Sequence, residues 1–148
     1  MKSKCYLDSN ILIYFLDQKS PYHKKTKNLI GKLDPDTYTL IISPLVIDEF
    51  LYTLKRIMTT ENMRSEQIFK DLGRAYDAIV ALKNLEIAPV SIDKSINRKV
   101  ITIMEEFHLR PRDAYHILIM QENSIDEFAT FDTDFKRVFA QKILNHRR

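Results

Sequence analysis

Glycine is nearly absent from this chain: only Gly31 and Gly73 occur in 148 residues. A phosphate-binding P-loop, a dinucleotide fingerprint and a nucleophile elbow all need glycines at fixed offsets, and none of those patterns can be written here. Cysteine is as scarce. Cys5 stands alone in an apolar run, which rules out an internal disulfide and a cysteine-rich zinc site and reads as a small buried hydrophobe. Such usage fits a reducing compartment, and a cytoplasmic location is expected. There is no HExxH helix, and His23, His108, His116 and His146 show no ligand-like spacing. His116, in an apolar helix, is read as packed or hydrogen-bonded rather than metal-bound. Long apolar runs are missing too. The longest, Ile11–Leu16, is too short to span a bilayer. Asp8 and Asp17 interrupt the apolar part of residues 1–20, so no signal peptide is read there.

What remains is an ordinary globular composition. Hydrophobic residues make up 45% and the formal net charge is +3. That length suits one domain over residues 1–148 with room for a core. The mild positive excess permits a nucleic-acid partner without demonstrating one.

Strand-like and helix-like segments alternate. Lys4–Leu7 reads as a buried strand, followed by helices over Ile11–Asp17 and His23–Leu33. Asp34-Pro35-Asp36 is a turn and Tyr38–Ile42 a second strand. Ser43-Pro44 starts a helix to about Met58, with Ile47, Phe50, Leu51, Leu54 and Met58 as its buried stripe and Glu49 beside it. A long helix covers about Ser65–Lys83. Leu85–Val90 is a third strand, placed at an edge by Pro89. Asp93 caps the next helix, Ala114–Gln121 forms another, Phe128–Phe131 is a strand with Asp132 at its end, and Lys142–Leu144 a short last one. This alternation implies a three-layer α/β/α fold around a central parallel sheet of four to five strands.

Parallel strands share one C-terminal edge, so Asp8 and Asp132 are expected on the same side of the molecule, where open α/β sheets bind ligands. Glu49 and Asp113 reach that edge from the N-terminal halves of helices. Taken singly, each acid has a plain alternative. Asp8 could cap a helix, Asp113 could serve a helix dipole, Glu49 could be solvated, and Asp132 could form an Asx-turn. Asp134 also reads as an N-cap. Together, four carboxylates at one edge would repel each other unless a cation joined them. Hard oxygen ligands point to Mg²⁺ or Mn²⁺, and such a site suits in-line hydrolysis of a phosphodiester.

Four segments in order, Leu7-Asp8-Ser9-Asn10-Ile11-Leu12, Asp48-Glu49-Phe50, Arg112-Asp113-Ala114-Tyr115-His116 and Thr130-Phe131-Asp132-Thr133-Asp134-Phe135, resemble the PIN domain of VapC-type toxins. The resemblance covers nearly the whole chain. It implies cleavage of RNA, single-stranded or structured, at an acidic Mg²⁺ or Mn²⁺ site, with Asp8, Glu49, Asp113 and Asp132 as the tetrad and Asp134 auxiliary. By the same resemblance Ser9 and Asn10 orient Asp8, Glu49 ligates directly or through water, and an antitoxin and a homodimer are the expected partners, with no membrane.

Basic and aromatic residues add weaker readings. Arg110 and Arg112 could meet substrate phosphates, or could be salt-bridged to the acids. Lys136, Arg137, Lys142, Arg147 and Arg148 enrich the tail, by default as a solvated face. Tyr22, Tyr52 and Tyr115 could stack on unpaired bases, though core or rim packing is the plainer reading. Three alternatives stay open: a module that holds RNA or protein without cleaving it, an RNA-processing nuclease without an antitoxin, and an aspartate-based phosphatase or receiver. The phosphatase pattern wants a second acid where Asn10 stands.

Overall fold

A computed structural model describes all residues 1–148 and places β1 (Ser3–Leu7) at the centre of a five-stranded parallel sheet. On one side of β1 lie β2 (Tyr38–Ile42) and the edge strand β3 (Leu85–Ile87); on the other lie β4 (Glu127–Ala129) and β5 (Asn145–Arg147). The chain winds outward from β1 to β3 and then crosses back to β4. The strand order therefore reverses between β1 and β4. In open α/β sheets that reversal point opens a crevice at the carboxyl ends of the strands.

Local chemistry sets the helices that flank the sheet. Helix α1 (Ser9–Leu16) starts at Asp8, whose carboxylate accepts from the Ser9 backbone N–H at 2.7 Å. After α2 (His23–Lys32), the buried Ser43 caps α3 (Pro44–Thr60) by accepting from the Val46 N–H, with Pro44 in the first turn. Helix α4 (Ser65–Val80) packs on α3, and Asp93 caps α5 (Lys94–Phe107). Helix α6 (Pro111–Glu122) buries Ala114, His116, Ile117, Leu118, Ile119 and Met120, so it is covered nearly all round. Thr133–Phe135 forms a 3₁₀ turn that runs into the short α7 (Lys136–Ala140). With so few glycines, left-handed turns fall to Asn62, His108, Ser124 and Lys142, a conformation that costs a residue with a side chain about 1–2 kcal/mol.

The core lies on both faces of β1, β2 and β4. Tyr6, Phe128, Phe135, Phe107 and Phe50 are its largest fully buried side chains, and burial of each contributes roughly 1.5–3 kcal/mol. Phe128 meets Phe135 edge-on, with centroids 4.8 Å apart. Burial pushes the Cys5 thiol up to about 12, with Glu127 adding to it, which fits an inert core residue.

Several boundaries differ from the sequence expectation. Helix α1 begins two residues earlier than Ile11, because the Asp8 cap draws Ser9 and Asn10 into the first turn. Helix α6 begins at Pro111 rather than Ala114, which puts Asp113 inside its first turn. Strand β4 stops at Ala129 rather than Phe131: the Phe131 N–H turns to the Asn10 side chain and the Thr130 carbonyl to His146, so neither continues the ladder. Asp132 thus lies three residues past the strand. Strand β3 ends at Ile87, before Pro89, at the expected edge. The last strand is Asn145–Arg147, not Lys142–Leu144, since Lys142 has φ 56° and turns the chain before the strand can start. Helix α4 ends at Val80, three residues short of the expected Lys83.

Candidate active site

Register brings the first two functional residues together. Leu7 pairs with Ala129 across β1 and β4, so Asp8 and Thr130 leave the sheet side by side. Thr130, fully buried, donates its hydroxyl to Asp8 Oδ2 at 2.5 Å. Its oxygen also accepts from the Asp132 N–H at 2.9 Å, so one threonine ties the two acidic loops together. Asn10 completes the clamp. Its amide donates to Asp8 Oδ2 at 3.0 Å and to Thr130 Oγ1 at 3.3 Å, while its oxygen accepts from the Phe131 N–H. Ser9 contributes its backbone N–H to Asp8 and, at 3.5 Å, its hydroxyl. The capping and functional readings of Asp8 are compatible, because one oxygen caps α1 while the carboxylate as a whole faces the crevice.

Glu49 is held from the other side by a chain of buried groups. His116 Nε2 lies 2.9 Å from Glu49 Oε2, and His116 Nδ1 lies 3.0 Å from the Tyr6 hydroxyl. That hydroxyl is in turn 2.6 Å from Ser43 Oγ. A carboxylate facing Nε2 places the ring proton there. Nδ1 then accepts from Tyr6, and Tyr6 accepts from Ser43. His116 is therefore buried and doubly hydrogen-bonded, as its apolar helix implied. Even so, Asp8, Glu49 and His116 each offer one ligand atom, and these atoms lie within 4.8 Å of one another. The bond from Thr130 to Asp8 and the Tyr6–Ser43 pairing were not read from the sequence. The one available signal was that each of these residues is a polar group at the end of an apolar strand.

Asp8, Glu49, Asp113 and Asp132 all line a single cavity of about 350 Å³, together with Ser9, Asn10, His116, Arg112, Arg56, Tyr52, Thr53 and Phe135. Asp134 does not line it. Asp134 is exposed and ion-paired with Arg110 at 3.4 Å, both outside the cavity wall. Arg112 stands over the cavity, 3.6 Å from Glu49 Oε1 and 3.9 Å from Asp48. Both arginines thus adopt the salt-bridged alternative.

The electrostatics of the cavity favour a cation. Burial pushes the Asp8 carboxyl up, and Glu49 adds to it, against the opposing pull of His116 and the Thr130 hydrogen bond. Asp113 is also pushed up, by burial first and then by repulsion from Asp132 and Asp134. Two carboxylates held partly against ionisation beside two more form a set of hard oxygen donors with no lysine or arginine buried among them. Those donors fit a divalent ion of the Mg²⁺ or Mn²⁺ kind. No helix is long and apolar enough to cross a membrane.

Fold and site together define a class: an α/β protein with an acidic, cation-attracting crevice at the β1/β4 reversal. The family model described as PIN domain matches residues 5–140, and this chain belongs to the PIN domain family. Ribonuclease VapC2 of Methanocaldococcus jannaschii is 28% identical over 138 residues, covering 93% of this chain and 90% of that protein. Among solved structures, VapBC2 from Rickettsia felis, described as bound to a DNA fragment from its promoter, superposes with a TM-score of 0.66 at 20% identity, over 97% of each chain. VapC20 of Mycobacterium tuberculosis, described as a Sarcin-Ricin loop cleaving toxin, superposes with a TM-score of 0.64 at 16% identity, over 90% of this chain and 94% of that one.

Proposed function

We propose that this chain is a metal-dependent endoribonuclease and the toxin of a toxin–antitoxin pair. The observation that carries the proposal is the convergence of Asp8, Glu49, Asp113 and Asp132 on one cavity, in a chain of the PIN domain family. The names of the relatives support the ribonuclease and toxin parts.

In this reading Asp8, Asp113 and Asp132 hold Mg²⁺ or Mn²⁺, with Glu49 as a ligand directly or through water. A bound divalent ion would supply Lewis acidity toward a phosphodiester and toward an attacking water. The chain's own residues do the rest. Thr130, Asn10 and the Ser9 N–H fix both oxygens of Asp8. His116 holds Glu49 so that one carboxylate oxygen is committed and the other faces the cavity. Arg112 leaves Glu49 for a substrate phosphate, a modest exchange because its present pairing is long and the guanidinium is half-exposed.

The test is cleavage of a mixed RNA set by the purified protein with Mn²⁺, with chelator, and as Asp8→Asn and Asp113→Asn. The proposal expects cleavage that chelator and either substitution abolish. Persistent cleavage by either variant would sink the site. RNA retarded in a gel but left uncut over the whole set would favour a holding module instead, a reading to which Arg112 over the acidic cavity lends some weight.

The partner expected is an antitoxin protein that covers this crevice. A harmless expression phenotype, unchanged when the active-site variants are expressed, would point to an RNA-processing nuclease instead. A homodimer belongs to the same proposal: α3 and α4 leave Tyr52, Ile57 and Phe69 exposed, and light scattering measures the mass.

A further inference from the structure

A second cavity, also of about 350 Å³, adjoins the acidic one and shares Asp132 with it. Its chemistry is reversed. Where the first is walled by carboxylates, this one is walled by aromatic rings and rimmed by cations. On one side Tyr22 leans over Phe131, with centroids 5.5 Å apart and planes 32° apart, and is itself stacked on Tyr14 at 4.9 Å. Tyr22 remains 45% exposed beside both rings. On the other side Phe139 and His146 are stacked 4.1 Å apart and only 8° from parallel, and His146 is fixed by its Nε2 contact with the Thr130 carbonyl at 2.9 Å. Lys25, Lys136 and Arg148 line the same cavity, with Lys25 Nζ 5.1 Å from the Phe131 centroid. None of these three cations is in an ion pair.

We propose that this cavity is a subsite for one unpaired nucleotide of single-stranded RNA, adjacent to the phosphate held over the acidic cavity. The proposal rests on the nuclease reading above. Aromatic faces interleaved with cations that no carboxylate neutralises match the alternation of base and phosphate along a nucleic-acid strand. Rings offer stacking to any base, and Lys25, Lys136 and Arg148 offer charge to the flanking phosphates. A base in a duplex is already stacked on both sides and cannot enter, so the subsite selects single strands. An apolar protein segment would satisfy the rings and leave three cations unpaired. Because Asp132 lines both cavities, the base in the subsite and the scissile phosphate are neighbours along the strand, and the cut falls at a fixed offset from the docked base.

The experiment measures binding of a fluorescein-labelled single-stranded RNA of about 12 nucleotides, within the usual site sizes for such strands. Binding is followed by anisotropy in chelator, so that nothing is cut, for the wild type, Tyr22→Ala, Lys25→Gln and Lys136→Gln. Tyr22→Ala is expected to weaken binding about tenfold. Each lysine variant is expected to lower the slope of log affinity against log salt by roughly one. Replacing nucleotides one at a time by abasic sites should weaken wild-type binding at one position, and that penalty should vanish in Tyr22→Ala. The exposed lysine variants keep the test valid if Tyr22→Ala is unstable.

Unchanged affinity and salt slope in all three variants would overturn the subsite. So would variants that keep RNA affinity and lose only the binding of a glutamate-rich peptide, which would assign the surface to a protein partner. Cleavage of the same strand in Mn²⁺ is scored separately. No cleavage with intact subsite behaviour removes the nuclease reading alone, while cleavage with unaltered binding in the variants removes the subsite alone.

Discussion

His116 donates its Nε2 proton to Glu49 Oε2 across 2.9 Å, joining two residues 67 positions apart at the buried back wall of the acidic cavity. The bond continues inward through Tyr6 to Ser43, so the orientation of Glu49 depends on groups that never touch the crevice. Outer hydrogen bonds of this kind commonly set how well a ligand serves its metal.

Tyr6→Phe tests that dependence. The ring stays and the hydroxyl goes, leaving the buried His116 Nδ1 and Ser43 Oγ without their shared partner. A loss of about 1–3 kcal/mol of stability is expected, together with a drop of roughly tenfold in Mn²⁺ affinity. Thermal unfolding and calorimetric titration read the two separately. A lowered midpoint with unchanged Mn²⁺ affinity would make the chain of bonds merely structural.

Asp113→Asn should stabilise the metal-free protein at neutral pH. The folded state holds the Asp113 carboxyl above its ordinary value of 3.8, so it binds more protons than the unfolded chain just above that value. Stability from this group is then lost as pH rises through the raised folded value. The variant removes the charge and escapes that loss. Its advantage in thermal midpoint should be clear at pH 7 in chelator and shrink toward zero as pH falls toward 3.8. In Mn²⁺ the order should reverse, with the wild type gaining more. An equal metal-induced shift in both proteins would contradict a ligand role for Asp113.

Arg112→Ala separates two effects of one guanidinium. Its removal takes a positive charge from beside Glu49, and Mn²⁺ should bind a few-fold tighter, a small change because the guanidinium is half-exposed and solvent screens it. RNA affinity should fall, with a salt slope lower by roughly one. Opposite signs in the two titrations are the expected result; a fall in both would place Arg112 in the scaffold of the site.

Asp134→Asn should leave cleavage within about twofold of wild type, because Asp134 faces Arg110 outside the cavity and exposed pairs of that kind contribute about 0–1 kcal/mol. Asp132→Asn, only two residues away but lining the cavity, should abolish it. Equal losses in the two variants would place Asp134 at the metal.

Much of this molecule was legible in the order of its residues. Apolar runs such as Cys5-Tyr6-Leu7 and Leu40-Ile41-Ile42 belong to parallel strands covered on both faces. Parallel strands share a carboxyl edge, so the fold class and the common side for Asp8 and Asp132 followed from local pattern alone. Element ends were less legible, because they turn on side chains capturing backbone groups, as Asn10 does with the Phe131 N–H. The structure alone decided which polar side chains support the acids and where the cations point. Thr130 meets Asp8 across 122 positions and Tyr6 meets His116 across 110. Asp134, with no such bond to hold it inward, turns to Arg110. The aromatic and basic cavity likewise joins residues from both ends of the chain, from Tyr22 to Arg148. Periodicity along a chain assigns a residue to a face; which partner lies within 3 Å of it is set by strand register and side-chain direction, and those exist only once the chain has closed on itself.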